Sequence, residues 1–232
     1  MIQIIPSAGR FHNDFGWLST HWHFSFDSYY DPDNVQWGPL RVFNDDVVQA
    51  GKGFPTHAHR DMEIVTVVLE GALEHADSIG TREVLRAGEV QVMSAGSGIR
   101  HSEYNASQSD PVHFLQLWVM PRTRGLTPRW EQRAFPGRQG KLLPVVSSGN
   151  LPDTLTIDQD ASIYLSSLGA GEEVTHPSEA ARKGYLFVTK GKVELNGTTV
   201  SEGDQARTEG EATLNIKASG DAEFILLDLP GE

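Results

Sequence analysis

Five segments, Glu63–Glu70 (EIVTVVLE), Glu89–Met93 (EVQVM), His113–Met120 (HFLQLWVM), Gly184–Thr189 (GYLFVT) and Ala222–Leu229 (AEFILLDL), are short, dense in Val, Ile, Leu and aromatics, and bounded by turn formers. Branched and aromatic side chains suit a pleated, half-buried surface, and runs of this length between Gly, Asn, Asp or Pro read as strands. No long amphipathic helical pattern competes; the best short candidate, Pro177–Lys183 (PSEAARK), holds about two turns. With 23 Gly and 12 Pro in 232 residues, turns fall too close together for alternating strands and helices. The expected fold class is all-β, as a sandwich or barrel.

A weak internal repeat predicts two such barrels. Val68-Leu69-Glu70-Gly71 leads through a turn to Ala87-Gly88-Glu89, and Val188-Thr189-Lys190-Gly191 leads through Asn196-Gly197 to Glu202-Gly203-Asp204. Asn196-Gly197 between two short strands is a type I′ hairpin signal. The stretch from Arg124-Gly125 to Arg138-Gln139-Gly140 is rich in Gly, Pro and Arg and lacks alternation. The boundary is placed there, giving domains 1–130 and 131–232.

Composition narrows the chemistry. The chain has no cysteine and nine histidines, so thiolate catalysis, zinc ribbons and iron–sulfur clusters are excluded and any metal must sit on nitrogen and oxygen. Eight of the nine histidines lie within the first 113 residues. With 19 basic against 31 acidic residues the net charge is −12, and neither half hides a basic domain, so no nucleic-acid partner is expected. No leader pattern or long apolar span appears, so a cytoplasmic protein without membrane contact is expected.

His57-Ala58-His59 places two imidazoles on one face of an extended segment, because side chains two apart point the same way. His101 and Glu103 repeat that spacing. Together they make three imidazoles and one carboxylate, a set suited to Fe(II), Mn(II), Co(II), Ni(II), Cu(II) or Zn(II) with positions left open. Spacing alone leaves a rival carboxylate, Glu63, four residues after His59.

Gly51–Glu63 (GKGFPTHAHRDME) resembles the first cupin motif, and Gly88–Asn105 the second, with Ser94 where many cupins have Pro and two extra residues before the histidine. More specifically, Arg41–Gly71, Met93–Tyr104 (MSAGSGIRHSEY) and Phe11–Pro32 resemble the pirin family. The resemblance is strong over about the first 130 residues, and implies two tandem cupin barrels of the double-stranded β-helix or jelly-roll kind. It implies a metal in the N-terminal barrel on the positions matching His57, His59, His101 and Glu103. In the longer form of the first motif the glutamate would fall on Ile64, so Glu63 is one residue out of register and is assigned, with Asp61, to outer-sphere or surface duty. Counting back from Gly191 as His57 stands back from Gly71 lands on Pro177, with His176 one position off, so the C-terminal domain is expected to lack metal ligands.

The resemblance further implies an enzyme, a metal-dependent dioxygenase of quercetinase type that opens a flavonol ring with O₂ and releases carbon monoxide. Iron(II) is the expected ion, a flavonol and O₂ the expected partners, and a monomer the expected state. Glu103 is the expected base for the flavonol 3-hydroxyl, while His57, His59 and His101 hold the ion. Metal affinity should fall below about pH 6, where free imidazole protonates. The alternative is a non-enzymatic, redox-responsive iron protein that regulates a protein partner. Among the remaining candidates, His21 and His23 are expected to pack on the barrel, His75 to lie on a hairpin rim, His113 to sit in or near the core, and Asn44-Asp45-Asp46 to form a polar turn between strands.

Overall fold

The computed structural model describes residues 1–231. Its strands are β1 (Ile2–Ile5), β2 (Phe11–Asp14), β3 (Leu18–Trp22), β4 (Leu40–Val48), β5 (Gly53–His59), β6 (Glu63–Glu70), β7 (Ala72–Asp77), β8 (Arg82–Arg86), β9 (Glu89–Ser94), β10 (Ile99–Asn105), β11 (Val112–Val119) and β12 (Arg129–Ala134). There follow β13 (Leu143–Ser147), β14 (Leu155–Thr156), β15 (Ser162–Leu168), β16 (Glu173–Pro177), β17 (Arg182–Lys190), β18 (Lys192–Leu195), β19 (Thr198–Ser201), β20 (Gln205–Glu209), β21 (Thr213–Ala218) and β22 (Ala222–Pro230). Among the described residues there is no α-helix, only a 3-10 turn at Ser7–Gly9. The helical candidate Pro177–Lys183 is instead the end of β16, a turn, and the start of β17.

The chain forms two compact units. One contains residues 11–135 and 155–159, the other residues 1–10, 136–154 and 160–232. In the first, a sheet ordered β12-β9-β6-β11-β4-β3-β2 accompanies a four-stranded sheet β5-β10-β7-β8. In the second, β20-β17-β22-β15 repeats the order β9-β6-β11-β4, and β16-β21-β18-β19 repeats β5-β10-β7-β8. Every repeated strand is offset by eleven in chain order, so the sequence repeat is a repeat of topology. This is the doubled jelly-roll architecture.

Two details of the units follow from pairing. Strand β1 runs antiparallel to β20, Ile2 opposite Thr208, so residues 1–10 belong with the second unit. In the first unit β12 holds the corresponding edge, pairing with β9 from Arg129 opposite Ser94 to Ala134 opposite Glu89. Residues 155–159 return to the first unit through the Arg129 guanidinium, which donates to the Thr156 carbonyl, and through the Gln159 amide, which donates to the Met120 carbonyl at 2.7 Å. The I′ signal is fulfilled, with Asn196 at φ 46° and Gly197 at φ 81° between β18 and β19.

Side chains facing the inside of the first barrel fall into layers. Leu18, Val48, Val68, Leu73, Leu85, Val112 and Phe114 close one end, and Ile64, Met93, Ala95 and Ile99 form a separate apolar cluster. Between them the register sets Asn44 beside Gln116, Gln116 beside Thr66, and Thr66 beside Gln91, all buried. Asn44-Asp45-Asp46 is therefore not a turn but the centre of β4. Alternation sends Asn44 and Asp46 inward, where polar neighbours from β3 and β11 receive them.

Candidate metal centre

Strand β5 pairs antiparallel with β10, His57 opposite His101 and His59 opposite Ile99. Between His101 and Glu103 the register slips, so that Glu103 faces Phe54. This bulge adds a residue to β5 and increases local twist, as bulges do. The three imidazoles converge: ring centroids are 4.4 Å apart for His57 and His101, 4.8 Å for His57 and His59, and 4.8 Å for His59 and His101. One nitrogen from each lies within 4.8 Å of the others.

Glu103 does not join those three in a single group; it lies within the same distance of His101 and His75. Its two oxygens accept hydrogen bonds from Gln116 Nε2 at 3.0 and 2.9 Å, which holds the buried carboxylate toward β11. Glu63, the rival by spacing, is buried in contact with Ser94, whose hydroxyl donates to it at 2.5 Å. It is therefore a packed residue and not a surface one, and burial raises its pKa against the opposing effect of the Ser94 bond. Asp61, at φ 50°, accepts the Gly125 N–H at 2.6 Å.

Two of the imidazoles, His59 and His101, are prepared as neutral donors. Burial, reinforced by the neighbouring imidazoles, lowers the pKa of His59 to about 4 and of His101 to about 3. His57 Nδ1 lies 2.8 Å from the Pro55 carbonyl, an acceptor only, so its proton sits on Nδ1 and Nε2 is left with a free lone pair. His101 Nε2 is buried and makes no hydrogen bond. A buried nitrogen without a partner, beside two more imidazoles and near a carboxylate, fits a divalent transition ion.

His57, His59 and Glu103 line a cavity of about 430 Å³ whose walls include Phe15, Trp17, Trp22, Phe26, Phe54 and Trp118. Asp46 also lines it, fully buried, with Thr20 Oγ1 donating to its carboxylate. Burial, with the nearby Asp45 and Glu103 carboxylates, raises its pKa to about 7 despite the Thr20 bond.

Other sequence candidates are also placed. His23 is buried against Phe43, centroids 4.5 Å apart, and His21 lies beside His12 at 4.6 Å. His113 bonds Asp45 at 2.6 Å. His75 is not on a rim: it is buried next to His101, because β7 lies between β10 and β8 rather than at an edge. Gln116 and Asp77 escaped the sequence reading, which placed His75 on the rim. The one hint was alternation, which puts Leu73, His75 and Asp77 on one face of β7.

In the second unit the register sets His176 opposite Leu214, as His57 stands opposite His101. The counterpart of Glu103 is Ile216, and His176 is bonded to Asp228 at 2.9 Å. Among the described residues, both clusters able to hold an ion lie in the first unit.

The pirin family model matches residues 6–119, and the model of the quercetinase C-terminal cupin domain matches residues 144–229. The chain is 46% identical over 231 residues to the quercetin 2,3-dioxygenase of Escherichia coli K12, covering 99% of each. It is 44% identical over 218 residues to a pirin-like protein of Caulobacter vibrioides, covering 93% of this chain and 94% of that one. The crystal structure of the E. coli bacterial pirin YhhW in complex with nickel(II) superposes with a TM-score of 0.96 at 44% identity, covering both chains completely.

Proposed function

The chain belongs to the pirin family, and from that premise we propose that it is a metal-dependent dioxygenase of the quercetin 2,3-dioxygenase type, opening a flavonol ring with O₂ and releasing carbon monoxide. The observation that carries the reading is the convergence of three imidazoles beside a buried carboxylate at the wall of an aromatic-lined cavity. His57, His59 and His101, with Glu103, are the proposed ligands, and the nickel(II) complex of YhhW supports a divalent ion on such a frame. Iron(II) is the proposed resident. Bound there, the ion supplies Lewis acidity toward a phenolate and redox coupling to dioxygen.

The chain's own groups supply the rest. The aromatic walls suit a flat polyphenol, burying its faces and excluding water from the reacting end. Glu103, held by the Gln116 amide, accepts the proton of the flavonol 3-hydroxyl and keeps it within the pocket. Protein reconstituted separately with Fe, Mn, Co, Ni and Cu, given quercetin in air, should consume O₂ and evolve carbon monoxide with at least one ion. Absence of both O₂ uptake and carbon monoxide release with every ion would overturn the reading.

A further inference from the structure

Resting on that reading of the metal centre, we propose that His75 and Asp77 are positioning residues that fix the tautomer of His101, so that its Nε2 lone pair faces the ion. Neither residue touches the cavity. The assignment follows from donors and acceptors taken in order along three side chains.

Asp77 is the fixed end. Its Oδ1 accepts the backbone N–H groups of Ile79 and Thr81, each at 3.0 Å, and its Oδ2 lies 2.9 Å from His75 Nε2. A carboxylate only accepts, so the neutral His75 ring carries its proton on Nε2 and leaves Nδ1 bare. That bare nitrogen is 3.5 Å from His101 Nδ1, the remaining ring nitrogen of the proposed ligand. Two facing bare nitrogens would repel, so His101 carries its proton on Nδ1 and donates it to His75. Its Nε2 is then left as a lone pair, which is the buried nitrogen without a hydrogen-bond partner.

The chain of groups is held from several sides. His75 stacks on Trp130 with centroids 5.7 Å apart and planes 23° from parallel. Strand pairing sets His101 opposite Asp77 and Glu103 opposite His75, so β7 carries the relay directly alongside both proposed β10 ligands. Outer partners of this kind orient ligating imidazoles and typically change metal affinity 10–100-fold when removed.

Asp77→Asn is the informative substitution. The two backbone N–H groups require the amide oxygen where Oδ1 now stands, so the amide nitrogen must face His75 Nε2 as a donor. His75 then carries its proton on Nδ1, meets the His101 proton, and forces His101 to the Nε2–H form. In the metal-free protein, ¹⁵N imidazole spectra should show His101 protonated on Nδ1 in the parent and on Nε2 in D77N. Nickel(II) affinity, measured by chelator competition, should fall at least tenfold in D77N and in His75→Leu. His75→Gln, whose amide can accept from His101 and donate to Asp77, should retain affinity within a few-fold of the parent. A His101 tautomer unchanged in D77N, or equal affinity in H75L and H75Q, would overturn the proposal. If D77N fails to fold, the H75L and H75Q pair decides. If the parent binds no nickel(II), the metal reading fails, and the tautomer spectra still test the relay.

Discussion

Histidine is both the most visible residue in this sequence and the least self-explanatory, since four of these side chains acquire three different roles. His57 and His101 have one nitrogen occupied and one free, His23 packs against a phenyl ring, and His113 meets a carboxylate. We expect His101→Ala to empty the site by elemental analysis; stoichiometric metal in that variant would refute the ligand set. Glu103→Gln should lower turnover by far more than it lowers metal content, the comparison being kcat against bound metal. The expected weakening of metal affinity below about pH 6 does not apply to His59 and His101, whose depressed pKa values leave them unprotonated well below that pH.

Asp46 yields a stability prediction of definite sign. Its folded pKa of about 7 exceeds the ordinary carboxyl value of 3.8, so between those values the folded state holds a proton that the unfolded state has lost. Unfolding free energy of the metal-free protein therefore declines as pH rises through that window, by up to about 1.4 kcal/mol per pH unit for this one group. Asp46→Asn should remove that decline, raising the thermal midpoint at pH 7 relative to the parent while leaving pH 4 nearly unchanged. Equal midpoints at pH 7 would show that Asp46 ionises freely.

At the scale of elements, the pairing of β5 with β10 is what brings two HxH-like spacings together at the proposed site. A Cβ on Gly53 would stand 2.2 Å from the Glu103 carbonyl and 2.5 Å from Tyr104 Cα, so only glycine lets β5 approach β10 there. Gly53→Ala should push the strands apart, at a cost of about 1–3 kcal/mol typical of overpacking, and weaken metal binding without touching a ligand. Denaturant midpoints and chelator competition test the two effects. Counting from glycine misses His176 by one for a reason separate from the bulge in β5. His57 stands 14 positions before Gly71 and His176 stands 15 before Gly191, so the second unit carries an extra residue C-terminal to its histidine, while the β5 bulge lies N-terminal to His57. The second unit pairs His176, Thr175 and Val174 with Leu214, Asn215 and Ile216 without a slip, whereas β5 carries an extra residue.

Across the whole molecule, duplication of one topology has been followed by divergence of the interior. The second unit fills the counterparts of His101 and Glu103 with Leu214 and Ile216, within a core of Val188, Val193, Leu195 and Phe224. It also depends on residues from the other end of the sequence, since β1 covers the edge of β20. Removing residues 1–10 should lower the thermal midpoint and expose that edge to aggregation, because an unpaired strand edge templates further pairing. Calorimetry and light scattering would test it, and a truncated protein as stable and monodisperse as the parent would contradict it.

Period-two runs, tight glycine turns and the two glycine-anchored repeats were sufficient for the all-β class and the doubled barrel, because strand periodicity and turn chemistry are local. The spacing of His57, His59, His101 and Glu103 was equally legible, since i and i+2 share a face of any strand. What only tertiary structure decided was the company these residues keep. Gln116 reaches Glu103 from β11, Thr20 reaches Asp46 from β3, and His75 with Asp77 reaches His101 from β7. Gln116 with Glu103, Thr20 with Asp46 and His75 with His101 each meet across two strands, and a cross-strand register depends on bulges and sheet order that no local pattern encodes.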